Sequence, residues 1–405
     1  MNSILSITTK DNIFLYYLLL FPFLMPRGFL EYSLLYKVSL TIMLMFTSFV
    51  ALVLFIKYMA HTKKHKYIMI CTAIYYLYFV ITTFMLQGRI GEGLQKLFIA
   101  PVLFFVCQVA SRKHDIFIIC ISNILILNFA LNISVFNPIF WTDIFNVEKH
   151  IIFLGHVQTV SQLGVVGIFL SYILSRKGYS FKSKILLFLS VSNMLLSDTS
   201  ASYLSLLIFA LCFVLLKISR IFKIKLIRVE TLLFFYLVIN YFLFEISNNY
   251  MMTDIGIIVT EMSSGRPFIW KEASNLLDEN WLFGYGAYGA LIKVFWSKYT
   301  DNPDGMNYAH NEVFQRLLDG GIILLLLFLT LLYAYINNIN KIRNYQDKLF
   351  TMSALISFFV MMLFESVTEY YFYIFLISLF YNSPNIFNIN SNACFNKNIK
   401  QDKND

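Results

Sequence analysis

Apolar runs long enough to cross a lipid bilayer follow one another through almost the whole of this 405-residue chain. A helix needs about 20 predominantly apolar residues to cross roughly 30 Å of hydrocarbon. Lipid offers no partner for backbone N–H and C=O groups, so a spanning segment must pair them internally, as a helix does. The sequence therefore predicts an all-α, polytopic membrane protein.

Twelve spans are predicted from these runs: 13–26, 35–56, 67–86, 97–110, 116–135, 157–174, 185–197, 203–219, 229–246, 320–336, 349–366 and 371–387. Composition agrees, because 58% of the residues are hydrophobic and only 14% are charged. The five cysteines show no close pairing, and four of them lie in apolar runs where a small hydrophobic side chain fits. We expect no disulfide, no metal site and no cofactor.

The basic residues indicate orientation. They lie between the spans and are not gathered on one face, so nucleic acid is not an expected partner despite the formal net charge of +9. Lys and Arg accumulate on the cytoplasmic side of membrane proteins. Both termini are therefore predicted to be cytoplasmic, together with five basic linkers, 57–66, 112–113, 176–184, 217–228 and 341–348. The first span, from about Ile13, is expected to be a retained helix and not a cleaved signal peptide.

One long segment, 247–320, then lies on the outer side. Loops longer than about fifteen residues are uncommon unless they are functional or disordered. This one holds three of the four tryptophans, Trp270, Trp281 and Trp296, and so has enough apolar material to fold against the membrane. We expect a single membrane domain, 1–405, with its chemistry in this extracytoplasmic loop.

The loop first presents Ser-Ser-Gly-Arg-Pro, ending at Pro267. Ser263 or Ser264 is expected to cap a helix that has Pro267 in its first turn. Arg266 then lies at the positive end of this helix, where an arginine beside free N–H groups receives a phosphate or pyrophosphate well. A surface arginine paired with a neighbouring glutamate is the alternative.

A glycine-rich segment comes next, at 280–289, with Leu-Phe-Gly-Tyr-Gly at its centre. No Lys-Ser/Thr pair follows it and no strand precedes it, so it is not a phosphate-binding P-loop. Closely spaced glycines among aromatic residues favour a packing turn.

The third segment, 308–321, predicts a short interfacial helix that ends at Gly320. Its apolar residues make one stripe, and Glu312 with Arg316 forms an i,i+4 pair. His310 then lies at the start of the helix, at the membrane surface. A histidine here is either a structural hydrogen-bonding group or a general base.

These three pieces, in this order, resemble the O-antigen ligase and polymerase superfamily over about 262–330. Within it the chain looks most like a Wzy-type polysaccharide polymerase. The turn 196–201 lies where many members carry a Ser-Arg pair, and here there is no arginine. The segment 155–158 is similar to the polar turn that opens a middle span in the family.

The resemblance implies an enzyme at the outer face of the bacterial cytoplasmic membrane that joins glycan repeat units carried on undecaprenyl pyrophosphate. A hydroxyl of one unit attacks the anomeric carbon of another, and the lipid pyrophosphate leaves. His310 is implied as the base or acceptor-orienting group, and Arg266 as the pyrophosphate clamp. A chain-length regulator and a flippase are implied partners, besides the lipid bilayer.

Five further residues are candidates for binding the substrate: Arg89, Asn311, Arg316, Glu365 and Glu369. Arg89, as a second clamp, has the alternative of an interfacial anchor paired with Glu92. Glu365 and Glu369 lie near the outer end of the eleventh span, as groups that bind sugar hydroxyls or support the histidine, and a solvated turn is the alternative.

Other readings stay open from the residues alone. A metal site through Asp301, Asp304 and His310 competes with a simple turn, which we prefer. An O-antigen ligase shares the loop motifs, and a cell-wall glycosyltransferase of the shape, elongation and division type shares the multi-span plan. A lipid-linked oligosaccharide flippase is the main alternative that is not an enzyme, but it is expected to place charged residues at mid-membrane.

Overall fold

The structure of the chain is a computed structural model that describes residues 13–30, 33–59, 66–110, 114–134, 151–218, 227–263, 265–289 and 308–388. Its α-helices in these ranges are α1 (Ile13–Leu24), α2 (Leu34–Met59), α3 (Lys66–Met85), α4 (Ile90–Ala110), α5 (His114–Ser134), α6 (Val157–Arg176), α7 (Ser180–Leu196), α8 (Ser200–Ile218), α9 (Val229–Asn249), α10 (Asp254–Met262), α11 (Arg266–Asn280), α12 (Glu312–Ile336), α13 (Tyr345–Phe364) and α14 (Tyr373–Asn388). Short 3-10 turns lie at Gly28–Leu30, Asn337–Lys341 and Val367–Glu369. One antiparallel hairpin, which the sequence did not predict, pairs β1 (Ile151–Ile152) with β2 (Gly155–His156).

Each of the twelve predicted spans coincides with a helix, and α10 and α11 lie inside the predicted loop. By length and composition, seven of the helices in the described ranges can cross a membrane, namely α2, α3, α5, α6, α9, α12 and α13. The chain is therefore an all-α, polytopic membrane protein, as predicted. The observed and predicted bounds differ most at α4 and α12, which both begin earlier than predicted. Their first turns carry charged residues, which a hydropathy pattern assigns to loops.

The spans differ in how much of their surface faces outward. Large apolar side chains are exposed along α2 and α9, for example Leu35, Phe46, Phe234 and Phe242. In a bilayer these side chains meet acyl chains, which removes them from water. Helix α6, in contrast, is buried over almost its whole length against α5, α7, α13 and α14. Such shielding from lipid allows α6 to carry buried polar side chains.

The described part of the 247–320 segment folds onto the helices beside it. Trp270 in α11 is fully buried in a second, smaller core that packs α11 against the start of α12. The ring of Trp270 stacks on Phe314, with 6.0 Å between centroids and 6° between planes. Trp281 and Phe283 are exposed, at the end of α11, and an amphipathic ring such as that of Trp281 suits the membrane–water interface. Trp296 lies outside the described residues.

The glycine-rich segment is a packing turn, as predicted. The backbone is left-handed at Gly284 (φ 67°) and again at Gly321 (φ 68°), where α12 is broken into two helical pieces. The two breaks face each other: the N–H of Tyr285 donates to the carbonyl of Leu318 (2.7 Å), and the N–H of Ile322 donates to that of Trp281 (2.9 Å). A side chain at either glycine would overlap a facing carbonyl.

Gly321→Ala is therefore expected to destabilise the protein through both backbone strain and overlap with the Leu282 carbonyl. The matched control is Gly178→Ala, because Gly178 is also left-handed (φ 87°) but has open space around its Cα. The control measures the strain alone, roughly 1 kcal/mol. Thermal unfolding in detergent should show a larger fall in Tm for Gly321→Ala. Equal falls for the two variants would contradict the close packing of the two turns.

Candidate active site

His310 lies two residues before the start of α12, and its neighbours in the chain are held on both sides. The indole N–H of Trp270 donates to the carbonyl of Ala309 at 3.0 Å. On the other side Asn311 caps α12 by accepting from the N–H groups of Val313 and Phe314. His310 itself has a left-handed backbone (φ 50°), which is uncommon for a residue other than glycine. Its side chain is 6% exposed.

The imidazole of His310 pairs with a buried carboxylate. Its Nδ1 lies 3.2 Å from Oε2 of Glu365, which follows α13 and is 1% exposed. The other carboxylate oxygen accepts from the N–H of Ser366 at 3.2 Å. An ionised carboxylate only accepts hydrogen bonds, so Nδ1 donates and Nε2 is the nitrogen able to accept a proton. Glu365 is thus no part of a solvated turn, which was the alternative for this residue.

Two further basic groups act on the same carboxylate. Burial opposes ionisation of Glu365, but His310, Arg266 and His156 together hold its pKa below the ordinary value of 4.5. The site is therefore one electrostatic unit. It joins α6, α11, the start of α12 and the end of α13.

Arg266 opens α11, as predicted, and Pro267 lies in the first turn. The predicted serine cap is wrong: Gly265, in the left-handed region (φ 81°), is the cap residue and makes no side-chain bond. Ser263 instead ends α10, because its hydroxyl donates to the carbonyl of Val259 in the preceding turn. Ser264 lies outside the described residues.

The guanidinium of Arg266 is only partly used by the chain itself. One terminal nitrogen donates to the carbonyl of Ser263 at 2.8 Å. Its Nε is buried and has no hydrogen-bond partner among the described residues. A buried donor without a partner is costly, and a bound anion would satisfy it.

His156 is a site residue for which sequence reasoning gave only a family correspondence. It ends the hairpin and caps α6, where its Nδ1 accepts from the N–H of Gln158 at 3.4 Å. When it is protonated, its positive charge adds to the lowering of the pKa of Glu365. The signal in the sequence was a Gly-His pair directly before an apolar span.

Asn311 and Arg316, both candidate substrate-binding residues, are engaged by the protein. The side-chain amide of Asn311 donates to Asn240 (2.8 Å) and to the carbonyl of Leu363 (3.1 Å), while its oxygen caps α12. The predicted pair of Glu312 and Arg316 forms, at 3.0 Å, and both side chains are buried. The first piece of α12 is thus enclosed in the protein and is not interfacial.

Arg316 also pairs with Asp319 at 3.2 Å, which makes a three-residue ion cluster. Each carboxylate then reaches another segment. Glu312 accepts from the N–H and the hydroxyl of Thr368, at 3.1 and 2.8 Å. Asp319 accepts from the N–H of Tyr288, at 3.1 Å. The cluster therefore fixes the turn after Glu365 and the glycine-rich turn relative to α12.

The remaining candidates lie around this centre. Arg89 lies in the turn between α3 and α4, and its backbone N–H donates to the carbonyl of Ala287 at 2.9 Å. Glu369 ends the 3-10 turn after Glu365. Asp301 and Asp304, the other members of the alternative metal site, lie outside the described residues. Within the described ranges no group of three or more His, Cys, Asp or Glu side chains is arranged to hold a metal.

The turn that lacks the family's arginine is occupied by hydroxyl groups. Ser161 on α6 lies 2.9 Å from Thr199 and 3.3 Å from Ser197, hydroxyl to hydroxyl. Ser202 donates to Ser161 at 2.6 Å. All four side chains are buried. They bind one another, so this turn joins α6 to α8 and adds no positive charge.

Comparisons with known proteins find similarity in the part of the chain that contains Arg266 and His310. Residues 185–329 match a family described as O-Antigen ligase. A protein of Rickettsia felis and one of Rickettsia conorii, both with the provisional name of polysaccharide ligase, are 28% and 29% identical over 181 and 175 residues. Each match covers 41% of this chain, and the chain spans about two fifths of the length of these curated relatives.

The matches support the O-antigen ligase superfamily that the loop motifs resemble, but they do not single out a polymerase. The matched family segment contains Arg266 and His310. It ends before Glu365. The structure brings Glu365 to His310 from a part of the chain that the family match does not reach.

Glu365→Gln is expected to lower the stability of the protein at about pH 7. The pKa of Glu365 in the folded protein lies below the ordinary value of 4.5. The charge of Glu365 therefore stabilises the fold fully at pH values above 4.5, and this stabilisation is lost as pH falls through the pKa of the folded state. Thermal unfolding in detergent should give a Tm difference from the unmodified protein that narrows as pH falls below 4.5 and through the native pKa. The control is Asp278→Asn, on the exposed side of α11. A difference that does not change with pH would contradict the role of the charge.

Arg316→Met is expected to destabilise the fold by roughly 3–5 kcal/mol, because it leaves two carboxylates buried without their cation. The matched control is Arg228→Met, which removes an exposed guanidinium that pairs with Glu230 at 3.0 Å and should have little effect. Thermal unfolding and the amount of folded protein in membranes measure both. An Arg316→Met protein that is as stable as the control but inactive would favour the predicted contact with substrate.

Proposed function

We propose that this protein is a glycosyltransferase of the O-antigen ligase type, which transfers a glycan from a lipid diphosphate to an acceptor hydroxyl. The observation that carries the proposal is the His310–Glu365 pair, at 3.2 Å, beside the partly unsatisfied guanidinium of Arg266. A base and a cation are the two groups that this transfer requires. The similarity of residues 185–329 to O-antigen ligases supports the same reaction.

In the proposed reaction the acceptor oxygen forms a bond to the anomeric carbon, and the bond from that carbon to the diphosphate oxygen breaks. Nε2 of His310 takes the proton of the acceptor hydroxyl. Glu365 accepts from Nδ1 and so holds the imidazole in the tautomer whose basic nitrogen is Nε2, and it stabilises the imidazolium that forms. The diphosphate leaves on its lipid with an additional negative charge, which Arg266 stabilises.

The other candidate residues take supporting roles in this proposal. Asn311 and Arg316 position His310 and the turn after α13, because their polar groups are engaged by the protein. Arg89 and Glu369 are assigned to the substrate's approach, the former for phosphate and the latter for sugar hydroxyls. The substrate lipid is undecaprenyl pyrophosphate in a bacterial cytoplasmic membrane, with the loop outside and both termini inside. A flippase supplies it.

We prefer a ligase to the polymerase that the loop motifs suggested first. The matched family and the two relatives all have the word ligase in their names. The two reactions share the donor and differ in the acceptor. A ligase transfers a finished glycan to a final lipid acceptor, whereas a polymerase adds repeat units to a chain whose length a regulator controls.

Deletion of the gene distinguishes the three functions in the source bacterium. Loss of ligation leaves a ladder of full-length glycan on undecaprenyl pyrophosphate, with none on the final acceptor. Loss of polymerisation leaves a single repeat unit on that acceptor, and this result would replace the ligase with a polymerase. Loss of transport leaves lipid-linked units on the cytoplasmic face, which would contradict both transferase functions.

His310→Ala and Arg266→Ala are each expected to lower glycan transfer to about the level of the deletion, because loss of a general base alone costs roughly 10²–10⁴-fold in rate. Arg266→Lys should also be impaired, since an ammonium does not reproduce a bidentate guanidinium contact. Gel analysis of the surface glycan, with protein level in the membrane measured in parallel, checks all three. Arg228→Ala is the control. Normal transfer by either alanine variant would remove that residue from the mechanism.

A further inference from the structure

Arg27 lies at the corner between α1 and the first 3-10 turn, and the corner is docked onto the hairpin. The N–H of Arg27 donates to the carbonyl of Leu154 (3.3 Å), and the N–H of Gly28 donates to that of Phe153 (3.0 Å). A side chain at Gly155 would come within 3.2 Å of the Arg27 Cβ. The position of the Arg27 side chain is thus fixed by backbone contacts.

The guanidinium of Arg27 lies over aromatic faces. Its Cζ is 5.1 Å from the ring centroid of Tyr371 and 5.3 Å from that of Phe372. Burial lowers the pKa of Arg27, and the groups that oppose this effect are tyrosines, Tyr371, Tyr370 and Tyr36. No carboxylate among the described residues pairs with it, whereas Arg316 is held by two. Arg27 is only partly buried, so a guanidinium that no carboxylate of the described residues neutralises stays open to an anion as its partner.

Two paths of contact join Arg27 to the candidate active site. Tyr370, beside Tyr371, has its hydroxyl 3.4 Å from that of Tyr308. The ring of Tyr308 in turn lies 4.2 Å from that of His310. The second path is the hairpin, because His156, whose charge acts on Glu365, directly follows Gly155.

We propose that Arg27 is a second anion-binding residue of the active site, which binds a phosphate group of the lipid-linked substrate. The inference rests on the proposed function, and it adds a residue from the corner after α1 to the groups around His310, Glu365 and Arg266. A diphosphate carries more charge than one guanidinium neutralises. Arg266, at the start of α11, and Arg27, beside the hairpin, then contact the same leaving group.

The test uses the full-length protein in nanodiscs of phosphatidylcholine, with farnesyl diphosphate as the probe. Arg27→Gln is expected to weaken binding by roughly tenfold or more, as loss of a hydrogen-bonded charge does. Arg27→Lys should bind more tightly than Arg27→Gln, since it keeps the charge. Arg228→Gln is the control and should bind as the unmodified protein does. The thermal unfolding of each variant is measured, and Arg27→Lys keeps the comparison valid if Arg27→Gln does not fold.

The outcomes separate the inference from the function on which it rests. Unmodified protein that does not bind farnesyl diphosphate would contradict the proposed function. Binding that Arg27→Gln and Arg27→Lys leave unchanged would overturn the role of Arg27 and leave that function standing. Nanodiscs with added phosphatidylglycerol test the other source of phosphate. If the two variants change only competition by this lipid, Arg27 is a headgroup contact and the proposal is wrong.

Discussion

The buried guanidinium of Arg316, shared between Glu312 and Asp319, connects three parts of the chain that are far apart in sequence. Through Glu312 and Thr368 it holds the turn after α13, and through Asp319 and Tyr288 it holds the glycine-rich turn. In surroundings of low dielectric, an ion cluster of this kind is stable only when every member is present and oriented. The turn that carries Glu365 therefore depends on this cluster for its position.

The candidate active site is assembled from segments that no single motif contains. Arg266 and His310 belong to the long segment 247–320, and Glu365 belongs to the turn between the last two predicted spans. His156 and Arg27 come from the first half of the chain. The family similarity covers residues 185–329 and so contains only the first two of these five. A polytopic membrane protein permits such an arrangement, because the ends of its spans on one side of the bilayer lie near one surface.

Much of the fold follows from the sequence, because hydropathy and glycine spacing are local signals. The twelve spans, the packing turn and the end of the first helical piece at Gly320 were predicted. The pair of Glu312 and Arg316 was predicted too, but its burial was not, since helical spacing does not reveal what faces a helix. Support of His310 by Glu365 or Glu369 was one of the two roles predicted for these carboxylates, but the sequence did not tell which of them pairs with a residue 55 positions away. The expected serine cap was wrong because Gly265, in the left-handed region, takes the cap position and has no side chain to accept a hydrogen bond there.

The left-handed backbone of His310 has a consequence for catalysis. A conformation that costs a non-glycine residue about 1 kcal/mol persists only where its surroundings impose it, and here the hydrogen bonds at Ala309 and Asn311 do so. The imidazole is therefore aimed by the main chain as well as by its pairing with Glu365. Folding, not substrate binding, supplies the free energy for this alignment, so the site is preorganised and the entropy of orienting the base is lost before any substrate arrives.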